Sequence, residues 1–117
     1  MGETEGTDRT TYSPFIFMES ERSCSLRLSD GRMVEKCPIF EELEGWLGNG
    51  YDWASVARTV IAEQLPQVQG AVSFDPEAGM FAAYGPRAAI QALAAIMAAV
   101  FHDDSRLRDL LSRSELD

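Results

Sequence analysis

A chain of 117 residues, 45% hydrophobic and 25% charged, has the size of one domain and a near-average globular composition, which argues against extensive disorder and against several domains. Nineteen Asp and Glu against ten Lys and Arg leave a formal net charge of −9, which repels nucleic-acid phosphates and anionic lipid and attracts basic partners. The same acidity also serves plain solubility.

Residues 1–13 are rich in Thr, Glu, Gly and Asp and hold almost nothing to bury, so they read as a flexible tail ahead of a single domain over 14–117. Residues 15–18 and 23–28 read as strands, with Cys24, Leu26 and Leu28 alternating onto one face. Asp30-Gly31 is a two-residue hairpin signal that would add 32–35 as a third strand. Pro38 suits the first turn of a helix whose apolar face is Ile39, Phe40, Leu43, Trp46 and Leu47. Glu41, Glu42 and Glu44 face solvent there, and Gly48 ends the helix.

Asn49-Gly50 can take the positive φ angles of a tight turn, and Asp52 stands where an N-cap accepts a backbone N–H. A helix is therefore expected from Trp53, burying Trp53, Val56, Ala57, Val60, Ile61 and Leu65 until Pro66 stops it. Residues 72–74 and 80–84 are short extended runs separated by Asp75-Pro76-Glu77-Ala78-Gly79. In that loop Asp75 can bond a backbone N–H two residues on, Pro76 pre-sets φ, and Gly79 can take the left-handed position. Gly85-Pro86 opens a long helix with Ile90, Leu93, Ala94, Met97, Val100 and Phe101 inward, and 106–113 form a last helix behind an Asp or Ser cap. This order gives an α+β domain: an antiparallel sheet of two hairpins, about four or five strands, with helices on one face.

The inventory for chemistry is thin. His102, the only histidine, ends the long helix, where it interacts favourably with the dipole. Cys24 and Cys37 make neither a zinc-site spacing nor a disulfide framework; Cys24 reads as a small buried hydrophobe and Cys37 as inert. Asp75 and Glu77 read as turn and exposed loop residues, short of the ligands a calcium loop needs. Residues 45–50 lack the Gly-Lys-Ser/Thr ending of a phosphate loop. No catalytic residue, metal ligand or cofactor is therefore assigned. The longest apolar run, 88–100, is shorter than the roughly 20 residues a bilayer needs, and no charged-then-apolar leader opens the chain. The expected compartment is the cytoplasm, with no membrane and no nucleic acid as partner.

NGYDW at 49–53 and FDPEAGMF at 74–81, in this order and spacing, resemble the bacterial immunity proteins called immunity protein 51, from polymorphic toxin systems. The order of flanking elements extends the likeness from Phe15 to the last helix. The resemblance implies a protein that binds and neutralises a cognate toxin, and it implies no catalysis. An acidic inhibitor suits a basic toxin, and a nuclease, whose own substrate is a polyanion, is one such partner. The candidate partner-binding residues are Glu41, Glu42 and Glu44 on the first helix, Tyr51 in the turn, and Asp75 and Glu77 on the hairpin loop. Trp46 and Trp53 fall on buried faces. The rival reading is an adaptor or a small-ligand-binding module without catalytic activity, the latter with a pocket on the sheet's helix-free face around Tyr51, Asp75 and Glu77. Oligomeric state stays open.

Overall fold

The computed structural model of the chain describes residues 6–20 and 23–115. The strands are β1 (Gly6–Asp8), β2 (Ile16–Glu19), β3 (Cys24–Ser29), β4 (Ser73–Phe74) and β5 (Met80–Gly85). Among the described residues they form one five-stranded antiparallel sheet in the order β1-β2-β3-β5-β4. The two expected hairpins, β2–β3 and β4–β5, are joined edge to edge by pairing Cys24↔Gly85 through Ser29↔Met80. The helices are α1 (Asp30–Met33), α2 (Cys37–Phe40), α3 (Gly50–Gln64), α4 (Arg87–Phe101) and α5 (Asp104–Leu111).

Because paired residues share a face, Phe17, Leu26, Ala83 and Phe74 form one row, with Leu28 and Phe81 beside it. Phe15 joins that face to the helices: its ring meets Trp53, Phe81 and Phe101 edge-on at 6.0, 6.0 and 6.2 Å. Trp53 in turn stacks on Phe101 at 5.8 Å and leans on Phe40 at 5.1 Å. Each such pair adds about 0.5–1.5 kcal/mol beyond the area it buries. All six residues expected to line α4 are buried, as are those expected along α3. The other face of the sheet, with Ile16, Met18, Ser25, Arg27, Ala82 and Tyr84, has no partner in that core.

Several local readings are corrected. Residues 32–35 are not a strand: Asp30–Met33 is a turn of helix followed by a 3₁₀ turn, Val34–Lys36. Strand β3 spends its second edge on β5, so no local hairpin mate is needed. The helix expected from Pro38 is one turn long. Gly45 and Gly48 sit at φ 89° and 85°, in the left-handed region, and leave Leu43 and Leu47 exposed while Ile39, Phe40 and Trp46 stay buried. Within the stretch read as a tail, residues 6–8 form β1, and hydrogen bonds from Thr11 and then Thr10 hold the Asp8 carboxyl down to about 2. Residues 1–5 lie outside the described ones.

The start of α3 is also displaced. The N-cap is Asn49, whose Oδ1 accepts from the Asp52 N–H at 3.0 Å, and Gly50 is already helical. Neither Asn49 nor Gly50 takes a positive φ, and neither does Gly79. Gly50 is required for a different reason. A Cβ there would overlap the carbonyl oxygens of Glu77 and Met80 at the hairpin tip, and the Gly50 N–H donates to the Ala78 carbonyl at 3.1 Å.

The pair of glycines at 50 and 31 tests this. Gly50→Ala is expected to destabilise by about 1–3 kcal/mol or more, because backbone on the hairpin must move to admit the methyl. Gly31→Ala meets open space within α1 and is expected to stabilise by about 0.5–1 kcal/mol. Equilibrium denaturation of the two variants measures both, and equal effects would remove the close-approach account of Gly50.

Candidate partner-binding groove

The first turn of α3 builds outward from Asp52. Its carboxylate is buried and accepts the N–H groups of Leu47 at 2.7 Å and Gly48 at 2.8 Å, two charge-assisted bonds that fix the chain entering the helix. Gly48 is pinned in its left-handed conformation against Cys37, where a Cβ would come within 3.0 Å of Sγ and 3.1 Å of Cα. With the backbone held from inside, the Leu47 side chain stands 60% exposed. Val34, at the start of the 3₁₀ turn, is 61% exposed.

Both exposed side chains line one groove of about 330 Å³. Its other lining comes from Asp30, Met33 and Cys37, from Gly48 and Asn49, and from Ala78 and Gly79 of the hairpin tip. The two sequence words that carry the family resemblance thus meet at one place, through Asn49 and Gly50 on one side and Ala78 and Gly79 on the other. The Asp30 carboxylate lies along this lining, its Oδ2 3.8 Å from where a Gly79 Cβ would be. Burial pushes the Cys37 thiol up, and the carboxylates of Glu41, Asp52 and Asp30 push it the same way. Cys24 is likewise raised, first by burial and then by Glu19. Neither environment favours a thiolate nucleophile.

The carboxylates divide into spent and unspent. Glu19, Glu35, Glu42, Glu63, Asp104 and Asp109 are ion-paired with Arg87, Arg32, Arg108, Arg113, Lys36 and Arg113 respectively. Asp8, Asp52 and Asp103 accept backbone N–H groups. Among the described residues no basic side chain pairs with Asp30, Glu41, Glu44, Asp75, Glu77 or Glu115. Of the sequence candidates, Glu42 is committed to α5: Arg108 grips it with two bonds of 2.9 and 3.0 Å, which hold its carboxyl below the usual range. Glu41 and Glu44 are exposed on the turn after α2, and Glu41 reaches the groove electrostatically through Cys37. Tyr51, 43% exposed, and Glu77 flank the Gly50 contact from its two sides. Asp75 is exposed and continues the hairpin ladder through its N–H to Ala82, with no side-chain turn bond of the kind expected from sequence.

The sequence reading missed Asp30, Val34 and Leu47, because it placed them in a hairpin turn, a strand and a buried helix face. The available signal was the pair of glycines at 45 and 48 bracketing Trp46 and Leu47, which breaks a helix there. The helix-free face of the sheet does carry a concavity of about 310 Å³, but Met18, Ser25, Arg27 and Tyr84 are among the residues that line it, and Tyr51, Asp75 and Glu77 do not. His102 ends α4, and its Nε2 lies 2.8 Å from the Ser13 carbonyl oxygen, tying the helix to the segment before β2. Among the described residues no group of three or more His, Cys, Asp and Glu is placed to hold a metal ion, and no helix is long and apolar enough to cross a membrane.

A family model described as Immunity protein 51 matches residues 15–116 of the chain. No curated protein and no solved structure matches it.

Two outcomes follow from the local geometry. Asp52→Ala strands two buried or half-buried N–H groups and is expected to cost about 2–4 kcal/mol, more than Asn49→Ala at about 0.5–2 kcal/mol, by chemical denaturation. At about pH 8 both thiols are expected to react with iodoacetamide far more slowly than a free cysteine of pKa about 8.5, since a raised pKa leaves less thiolate, and to accelerate as pH rises further. Timed alkylation read by mass spectrometry measures this, and free-cysteine rates at Cys37 would restore it as a nucleophile.

Proposed function

The chain belongs to the immunity protein 51 family, and we propose that it protects by binding one cognate toxin directly and blocking it, without turnover. A toxin-immunity role is the family's general property; direct binding is supported by how charge is distributed on this chain. The observation that carries it is the segregation of spent and unspent carboxylates. Ion pairs engage Glu42, Glu63, Asp104 and Asp109 around α5. Of the carboxylates with neither a basic partner nor a backbone N–H bond among the described residues, Asp30, Glu41, Glu44, Asp75 and Glu77 lie on the segments that build or adjoin the groove, while Glu115 alone lies elsewhere, beyond α5. An acidity that served solubility alone would need no such partition.

The partner this surface suits is a basic protein, and a nuclease is the toxin class whose own substrate calls for a basic active site. Complementary fields raise the association rate above the neutral range of about 10⁵–10⁶ M⁻¹s⁻¹ and disfavour acidic competitors. Inhibition then depends on surface complementarity, with no bond made or broken. The chain acts in the cytoplasm, before or as the toxin reaches its target.

Co-expression with the adjacent toxin gene, followed by purification of the pair, is expected to relieve toxicity and yield a complex. In stopped-flow binding, raising salt shortens the Debye length from about 10 Å at 0.1 M to about 3 Å at 1 M, and is expected to slow association more than it speeds dissociation. Glu41→Lys with Glu44→Lys is expected to lower the on-rate. A partner that does not form a complex, or a toxin that stays active, would overturn the proposal; an on-rate indifferent to salt and to both reversals would return the acidity to solubility.

A further inference from the structure

We infer that the groove beside the hairpin tip receives one long basic side chain of the toxin, its methylenes laid along Val34 and Leu47 and its cation at Asp30. This rests on the reading of the protein as a toxin-binding partner and adds the chemical group that is recognised. Lys and Arg join an apolar stem to a charged head, and the groove offers the matching pair of features. Val34 and Leu47 are large, apolar and more than half exposed, and both line the same concavity. The Asp30 carboxylate lies along its lining with no basic partner among the described residues.

Alternatives fit less well. A purely apolar side chain would cover Asp30 and leave a buried carboxylate unpaired, which is costly. An acidic one would meet Asp30 and the field of Glu41. The chain's own nearby cations are already engaged: Lys36 bonds Asp104 at 2.8 Å and lies over the Phe101 ring at 5.0 Å, while Arg32 pairs with Glu35. Asp52, the other carboxylate acting on Cys37, is spent on the N–H groups of Leu47 and Gly48. A volume of about 330 Å³ suits a side chain rather than a helix. The site is also held in place in advance, through the Gly50 to Ala78 bond and the Asp52 clamp behind Leu47, which lowers the ordering cost of binding.

The test measures binding of the full chain to an inactivated cognate toxin for wild type, Asp30→Asn, Leu47→Ser, Val34→Ser and the double variant Asp30→Asn/Leu47→Ser. Arg27→Gln, on the helix-free sheet face, is the control, and thermal unfolding of each variant confirms folding. Each groove variant is expected to weaken binding by about tenfold or more, mainly through faster dissociation. The double variant is expected to fall well short of the product of the singles, since both residues hold the same side chain, and Arg27→Gln is expected to stay within about twofold of wild type. Toxin bound by wild type and equally well by folded Asp30→Asn and Val34→Ser would overturn the inference while leaving toxin binding intact. Multiplicative losses in the double variant would overturn the shared side chain, and no binding by wild type would overturn the proposed function itself.

Discussion

The rest of the structure depends on the contact between the first turn of α3 and the tip of the β4–β5 hairpin. It is a backbone-to-backbone approach, Gly50 N–H to Ala78 carbonyl, possible only because position 50 carries no side chain. The four residues from Asn49 to Asp52 then divide the work. Asn49 caps the helix, Gly50 admits the hairpin, Tyr51 points to solvent, and Asp52 turns back to bind the chain that arrives. One residue later Trp53 enters the aromatic cluster with Phe15, Phe40 and Phe101. Position along this short stretch decides which side chains fold the protein and which remain available to a partner.

That cluster has a cost built into it. The Trp53 indole Nε1 is buried with no hydrogen-bond partner among the described residues, a loss of about 1–3 kcal/mol. The ring's contacts offset it: Trp53 is fully buried and touches three other aromatic rings. The same cluster explains why α4 and α5 are fastened at their junction. Phe101 closes α4 under Lys36, and Lys36 reaches Asp104 at the first turn of α5, so a cation links the 3₁₀ turn after α1 to both helices.

Long periodic segments were legible in the sequence because their burial pattern is set by local spacing. The α4 line from Ile90 to Phe101 and the Cys24, Leu26, Leu28 alternation depend only on helix and strand geometry. The 30–48 region was not legible, since what fixes it is distant. Strand β3 takes β5 as neighbour across 24–85, and this removes the reason for a local hairpin at Asp30-Gly31. Asp52, five residues along, organises Leu47 through a carboxylate that a one-dimensional reading took for a cap. The role of Gly50 was hidden in the same way: glycine next to asparagine signals a turn, while the actual requirement is set by Glu77 and Met80. The charged candidates Glu41, Glu42 and Glu44 looked equivalent in sequence and separated only when Arg108 claimed one of them.

The atoms that hold the fold and the side chains left exposed at the groove are therefore different parts of the same stretch. The backbone of Leu47 is held by Asp52, which needs nothing from the leucine side chain, and Val34 leaves its helical turn without burying itself. Substitution at either side chain changes the groove without touching the contact that builds it. Asp30 is similar: its carboxylate accepts no hydrogen bond that the fold requires among the described residues. This separation lets the shape and charge of the groove be reset while Asn49, Gly50, Asp52 and Trp53 keep the scaffold. Substitution is then cheapest at these positions, whose exposed side chains carry little folding energy.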